Sequence, residues 1–161
     1  MTLRQPYWFE DFAPGARFRT EGATITEAQI LDFAFRFDPQ PFHLDVEAAR
    51  ESIYGGLIAS GFQTMITAFR LWHAEKIMTP SSQGSPGLDE VRWMMPVRPG
   101  DTIRVEGEVL EARVSASRPH LGVVTWAFEV FNQKGQKVMS WRSVSMTLRR
   151  PENRPPETLT A

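Results

Sequence analysis

The sequence contains no cysteine. That excludes disulfides, thiolate metal sites, iron–sulfur clusters and a cysteine nucleophile together, and it fits a reducing compartment. No run approaches the ~18 apolar residues of a bilayer-spanning helix. The first residues, Met1-Thr2-Leu3-Arg4-Gln5-Pro6, lack the apolar stretch of a secretory signal. A cytoplasmic protein without membrane attachment is expected. Net charge is also nearly absent: 18 Lys+Arg stand against 19 Asp+Glu, a balance of -1. A dedicated nucleic-acid binder normally carries a strongly basic domain, so no nucleic-acid partner is expected. Histidine is scarce, with 3 in the chain, at His43, His73 and His120. Imidazole chemistry therefore has few candidate positions.

What is present is an ordinary globular composition, 42% hydrophobic and 23% charged over 161 residues. That length suits one domain and buries about 70% of the unfolded surface, so no staple is needed. We assign residues 1–150 to a single domain. The polar, proline-rich stretch from Pro151 onward, 151–161, is expected to be a disordered tail.

Phe18 to Thr24 reads as a first strand. Thr26-Glu27-Ala28-Gln29 is a capping box, and Ile30, Leu31, Phe33, Ala34 and Phe37 follow at helical spacing. This predicts a helix over about 27–37, stopped at Asp38-Pro39 because the residue before proline avoids the α region. Residues 38–60 form a long connection with a short helix near Val46 to Ser52, and such connections are often functional. Ser60-Gly61-Phe62-Gln63 is a second capping box. It opens a helix to about Met78 that is apolar over much of its circumference, as a central, covered helix would be. Strands follow: Val91, Trp93 and Met95 alternate, then Ile103, Val105 and Val109, then Leu121 to Phe131, then Val138 to Leu148. Strands in a run with segregated helices indicate an α+β fold, one antiparallel sheet around one long apolar helix.

Asp38 and His43 are the candidate catalytic pair. They flank Pro39-Gln40-Pro41-Phe42, a stiffened stretch that limits their relative freedom. A carboxylate and an imidazole brought together can orient one water and exchange a proton with it. The competing reading of Asp38 is a helix stop with a turn cap. Further on, Gly61 lies just inside the second capping box. A helix N-terminus offers unpaired N–H groups, and glycine lets a carbonyl oxygen approach them. Plain capping by Ser60 is the competing reading there.

Asp38-Pro39-Gln40-Pro41-Phe42-His43-Leu44-Asp45, with Ala48-Ala49 and Gly55-Gly56-Leu57-Ile58-Ala59-Ser60-Gly61, resembles the hydratase motif of the MaoC-like dehydratases and (R)-specific enoyl-CoA hydratases. Phe9-Glu10-Asp11-Phe12 with Pro14-Gly15, and Met95-Pro96-Val97 with Pro99-Gly100-Asp101, are similar to two further family signatures. The resemblance covers about residues 7–149. It implies a hot-dog fold, with an antiparallel sheet wrapped around a long helix. It also implies a homodimer or dimer-based oligomer and an acyl-CoA substrate lying near the subunit interface. The matched Asp38 and His43 would activate one water, and the backbone N–H of Gly61 would hold the thioester oxygen. Gln40, Phe42 and Ser60 would line the substrate pocket. Neither a metal nor a redox cofactor is implied.

Two departures stand out. Gln40 occupies the family's Asn position, and Arg36-Phe37 replace the small residues that often precede the Asp. With Phe35 and Phe42 nearby, these aromatics either narrow the pocket or belong to the core. His73 reads as a packed or interface residue and His120 as solvent-exposed. The expected activity is reversible hydration of 2-enoyl-CoA. A hot-dog acyl-CoA thioesterase and a non-catalytic acyl-CoA-binding subunit are the alternatives, because fold alone does not decide function.

Overall fold

In the computed structural model, which describes residues 6–155, Thr26 caps the first long helix with both halves of the predicted box. The Gln29 N–H donates to Thr26 Oγ1 and the Thr26 N–H donates to Gln29 Oε1. This helix, α1, spans Glu27–Phe37. It follows two short strands, β1 (Arg17–Arg19) and β2 (Ala23–Thr24). The single strand expected over 18–24 is broken at Thr20, whose hydroxyl accepts the Val105 N–H that a continuous ladder would give to backbone. After α1 come α2 (Pro41–Leu44), α3 (Val46–Glu51) and α4 (Gly61–Ala74). Helix α4 stops short of Met78 because Lys76 takes a left-handed backbone, φ 55°.

The remaining strands are β3 (Leu88–Trp93), β4 (Thr102–Val114), β5 (Leu121–Phe131) and β6 (Lys137–Leu148). They pair antiparallel in the order β1-β4-β5-β6-β3, with β2 also on β4. The inner face of β5 and β6 alternates with its outer face, so Trp126 and Phe128 point inward along with Trp141.

The sheet closes on α4 through aromatic contacts. Trp72 of α4 meets Trp126 at 5.4 Å and Phe128 at 4.9 Å, both edge-on. Phe128 stacks on Trp141 at 4.6 Å. The buried Trp126 N–H is satisfied by Ser145 Oγ. Gly107 of β4 gives the Trp72 ring its seat, since a Cβ there would lie 2.5 Å from the ring. One α+β architecture results, a sheet wrapped around a central helix.

The chain beyond β6 corrects one expectation. Pro151–Asn153 form a 3-10 turn rather than the start of a disordered tail. Glu10 accepts hydrogen bonds from Arg149 Nε, the Arg150 N–H and Asn153 Nδ2, while Arg150 pairs with Asp11. The N-terminal turn thus anchors Arg149 and Arg150 by charge and, through Glu10, Asn153 of the stretch that composition alone marks as free. The rest of the expected tail, 156–161, lies outside the described residues.

Trp72 is the main anchor between helix and sheet. Trp72→Ala is expected to lower unfolding free energy by about 3–5 kcal/mol. Urea denaturation measures this, and a loss below about 1 kcal/mol would contradict the packing account.

Candidate active site

The connection from α1 to α4 folds so that its two ends meet. Asp38 is the C-cap of α1, its N–H bonded to the Ala34 carbonyl. Pro41 sits at the first position of α2, where its missing N–H costs nothing. The turn of α2 carries His43 inward, leaving it 4% exposed. The segment 57–60 then runs buried between α2 and the 94–97 strip. The Ile58 N–H bonds to the Phe42 carbonyl and the Ala59 N–H to the Val97 carbonyl. This route delivers Ser60 and Gly61 to a point beside Asp38.

Two donors and one imidazole nitrogen surround the Asp38 carboxylate. Ser60 Oγ donates to Oδ2 at 2.6 Å, and Gln40 Nε2 donates to Oδ1 at 2.9 Å. His43 Nε2 stands 3.4 Å from Oδ2. Gln40 therefore still reaches the carboxylate from the family's Asn position. Partial burial raises the Asp38 pKa, but the Ser60 and Gln40 hydrogen bonds and the charge of His43 outweigh it. The net shift is downward from the ordinary aspartate value.

The other imidazole nitrogen defines the tautomer. His43 Nδ1 lies 2.8 Å from the Ile58 carbonyl oxygen, which can only accept, so Nδ1 carries hydrogen. In the neutral ring Nε2 is then a bare acceptor facing Oδ2. One water placed beside both atoms can donate one proton to each, leaving its oxygen lone pairs free to attack.

Ser60 also caps α4, accepting the Phe62 N–H at 3.2 Å. The predicted second capping box is only half formed. Gln63 turns away and donates to the Gln29 carbonyl of α1 instead of reaching back to Ser60. Gly61 is the first residue of α4, and among the described residues its N–H has no acceptor. It lies in the same cleft as Asp38, Gln40, Phe42 and His43, a space of about 460 Å³. Ser60, expected in the pocket lining, is 1% exposed and lies behind the wall, connected to the cleft through its bond to Asp38.

Phe42 packs on His43 and Tyr54 at the cleft wall. Phe35 and Phe37 are 77% and 70% exposed and line neither core nor cleft, so the bulk expected from them comes from elsewhere. Tyr54 and the run Trp93, Met94, Met95 supply it. Trp93 could be read from the sequence only as a strand residue; nothing local marked it as a cleft residue. His73 packs on Phe69 at 4.3 Å away from these groups, and His120 is exposed. Among the described residues no three His, Cys, Asp or Glu side chains gather as a metal site would require, and no helix is long and apolar enough to cross a membrane.

This arrangement has known counterparts. The family described as MaoC like domain matches residues 11–129, and the chain belongs to that family. Its members include hydratases and dehydratases, and its fold is the hot-dog fold. The uncharacterised protein YdeM of Bacillus subtilis is 33% identical over 129 residues, 80% of this chain and 90% of that protein. The solved MaoC-like dehydratase of Rhodospirillum rubrum is 41% identical, with a TM-score of 0.81, covering 90% of this chain and 99% of that one. The (R)-hydratase PhaJ1 of Pseudomonas aeruginosa is 26% identical, with a TM-score of 0.68, covering 89% of this chain and 86% of that one.

The lowered Asp38 pKa makes a pH prediction. Between the folded value and the higher unfolded value, the unfolded chain binds more protons, so stability rises with pH. The contribution is present above about pH 4, the unfolded carboxyl range, and is lost as pH falls through the folded value. The Tm advantage of wild type over Asp38→Asn should shrink as pH drops below about 4. A Tm difference that stays constant or widens under acid would contradict the assigned hydrogen bonds.

Proposed function

We propose that the chain is a hydro-lyase that reversibly hydrates 2-enoyl-CoA thioesters to 3-hydroxyacyl-CoA. The observation that carries this reading is the 3.4 Å approach of His43 Nε2 to Asp38 Oδ2, in one cleft with the Gly61 N–H, which has no acceptor among the described residues. The family's hydratases and dehydratases and the likeness to an (R)-hydratase support it.

The chemistry follows from these groups. The thioester oxygen accepts the Gly61 N–H, which draws electron density from C3 of the conjugated acyl group. Water held between Asp38 and His43 forms the new C3–O bond through its oxygen. Its proton passes to His43 Nε2, and the C2–C3 π electrons move onto the thioester oxygen as an enolate. The helix tip stabilises that charge. The enolate then collapses, C2 takes the proton back from His43, and one water has been added across the double bond. Asp38 stays a carboxylate throughout: it orients the water through its second proton and stabilises the transient imidazolium. Both parts of the water reach one face of the acyl group. The reverse sequence is the dehydration.

The resemblance also favours a homodimer. Phe62, Ile66 and Phe69 form one stripe along α4 and are 62%, 58% and 54% exposed, which a second copy would cover. Light scattering is expected to give twice the 18.3 kDa chain mass, and Ile66→Glu should shift it to the monomer. A monomeric wild type would remove the dimer.

Asp38→Asn and His43→Ala should each lower kcat on 2-enoyl-CoA by on the order of 10²–10⁴ with the fold intact by circular dichroism. Loss of conjugated absorbance without thiol release is the expected signal. Thiol release without loss of conjugation would instead support a thioesterase, and near-normal hydration by both variants would overturn the assignment.

A further inference from the structure

Trp93 reaches the cleft only because strand β3 is irregular. Leu88 pairs with Ser143 and Asp89 with Arg142, but beyond them Arg92 pairs with Ser140 and Trp93 with Met139. Three residues advance on β3 where two advance on β6, so one extra residue is inserted. Glu90 within this step has φ 51°. In a regular ladder Arg92 would stand opposite the buried Met139 and Trp93 would face outward. A one-residue slip exchanges the faces of every later side chain, and a bulge commonly serves to re-aim one. Here it turns the indole toward α4.

Once there, the ring settles against the tip of the helix. Trp93 Nε1 donates to the Gly61 carbonyl at 2.9 Å. The ring meets Phe62 edge-on at 5.9 Å. A Cβ on Gly61 would lie 2.6 Å from the indole. Gly61 has no left-handed backbone, so its lack of a side chain serves this close approach. The residue placed to grip the thioester oxygen is thus also the seat of the indole.

We infer that Trp93 is a specificity-determining residue that walls the acyl end of the cleft and restricts the substrate to short acyl chains. This inference rests on the hydratase reading of the same site. The wall formed by Trp93, Phe62, Met94 and Met95 is apolar, its polar atoms being two weakly accepting thioether sulfurs and one indole N–H that Gly61 already uses. An acyl chain matches such a surface. The two amides of a pantetheine arm would find no free donor and only weak sulfur acceptors among these side chains. With the thioester oxygen at the Gly61 N–H, the indole stands beside the first acyl carbons, and a longer chain has to displace it.

The test compares wild type, Trp93→Phe and Trp93→Ala on straight-chain 2-enoyl-CoAs of increasing length. Binding of the matching saturated acyl-CoAs is measured alongside by calorimetry. Trp93 is 49% exposed, so its removal leaves no sealed cavity, and unfolding curves monitor the fold. In Trp93→Ala the ratio of kcat/KM for an eight-carbon over a four-carbon substrate should rise by on the order of 10-fold or more, with a parallel rise in the binding ratio. Trp93→Phe keeps a ring but loses the indole N–H and should stay close to the wild-type ratio. An unchanged length profile in Trp93→Ala overturns the inference. So does an equal loss at every length, which would place the indole on the shared pantetheine arm. If wild type turns over none of the substrates but binds acyl-CoA, the hydratase reading fails and the binding ratios still decide the wall. Failure of wild type to bind any acyl-CoA overturns both.

Discussion

A single hydroxyl joins the two halves of the site. Ser60 Oγ donates to Asp38 and at the same time accepts the Phe62 N–H. Its donor is committed to the end of α1 and its acceptor to the start of α4. The residue that caps the central helix is thereby the residue that locates the carboxylate. Ser60 is 1% exposed, so this bond is shielded from competing water and the register between the two helices is well defined. The position of Gly61 relative to Asp38 follows from it directly.

His43 is placed by a second, independent restraint. Its Nδ1–H is spent on the Ile58 carbonyl, in the same buried segment that leads to Ser60. The imidazole can therefore offer only Nε2 to the cleft. Carboxylate, imidazole and helix tip are each tied to the short stretch 58–61, which is itself pinned to α2 and to Val97 by backbone bonds. Preorganisation of this kind matters for the proposed chemistry, because charge must be met where it develops without reorganising the protein.

Much of this was legible in local sequence. The Thr26 to Gln29 box, the stop at Asp38-Pro39, the short helix near Val46 and the strands over 121–131 and 138–148 all depend on neighbours within a few residues. The Asp38 and His43 juxtaposition was legible because prolines stiffen the stretch between them. What escaped depends on distant partners. Gln63 has the sequence of a capping residue, yet its amide bonds to Gln29 across the helix pair. Trp93 comes to Gly61 from 32 positions along the chain, through a bulge that alternation alone does not signal. Residues 151–153 read as a polar tail because Glu10 and Asp11, which anchor Asn153 and the preceding Arg149 and Arg150, lie at the opposite end of the sequence.

The central claim is that one cleft positions a water between Asp38 and His43 while the tip of α4 holds the acyl oxygen. A crystal structure with a bound 3-hydroxyacyl-CoA tests all three contacts together. The account predicts the 3-hydroxyl oxygen within about 2.6–3.2 Å of both Asp38 Oδ2 and His43 Nε2, and the thioester oxygen at similar distance from the Gly61 N–H. A ligand whose hydroxyl points away from the pair, or whose thioester oxygen is held elsewhere, would contradict it.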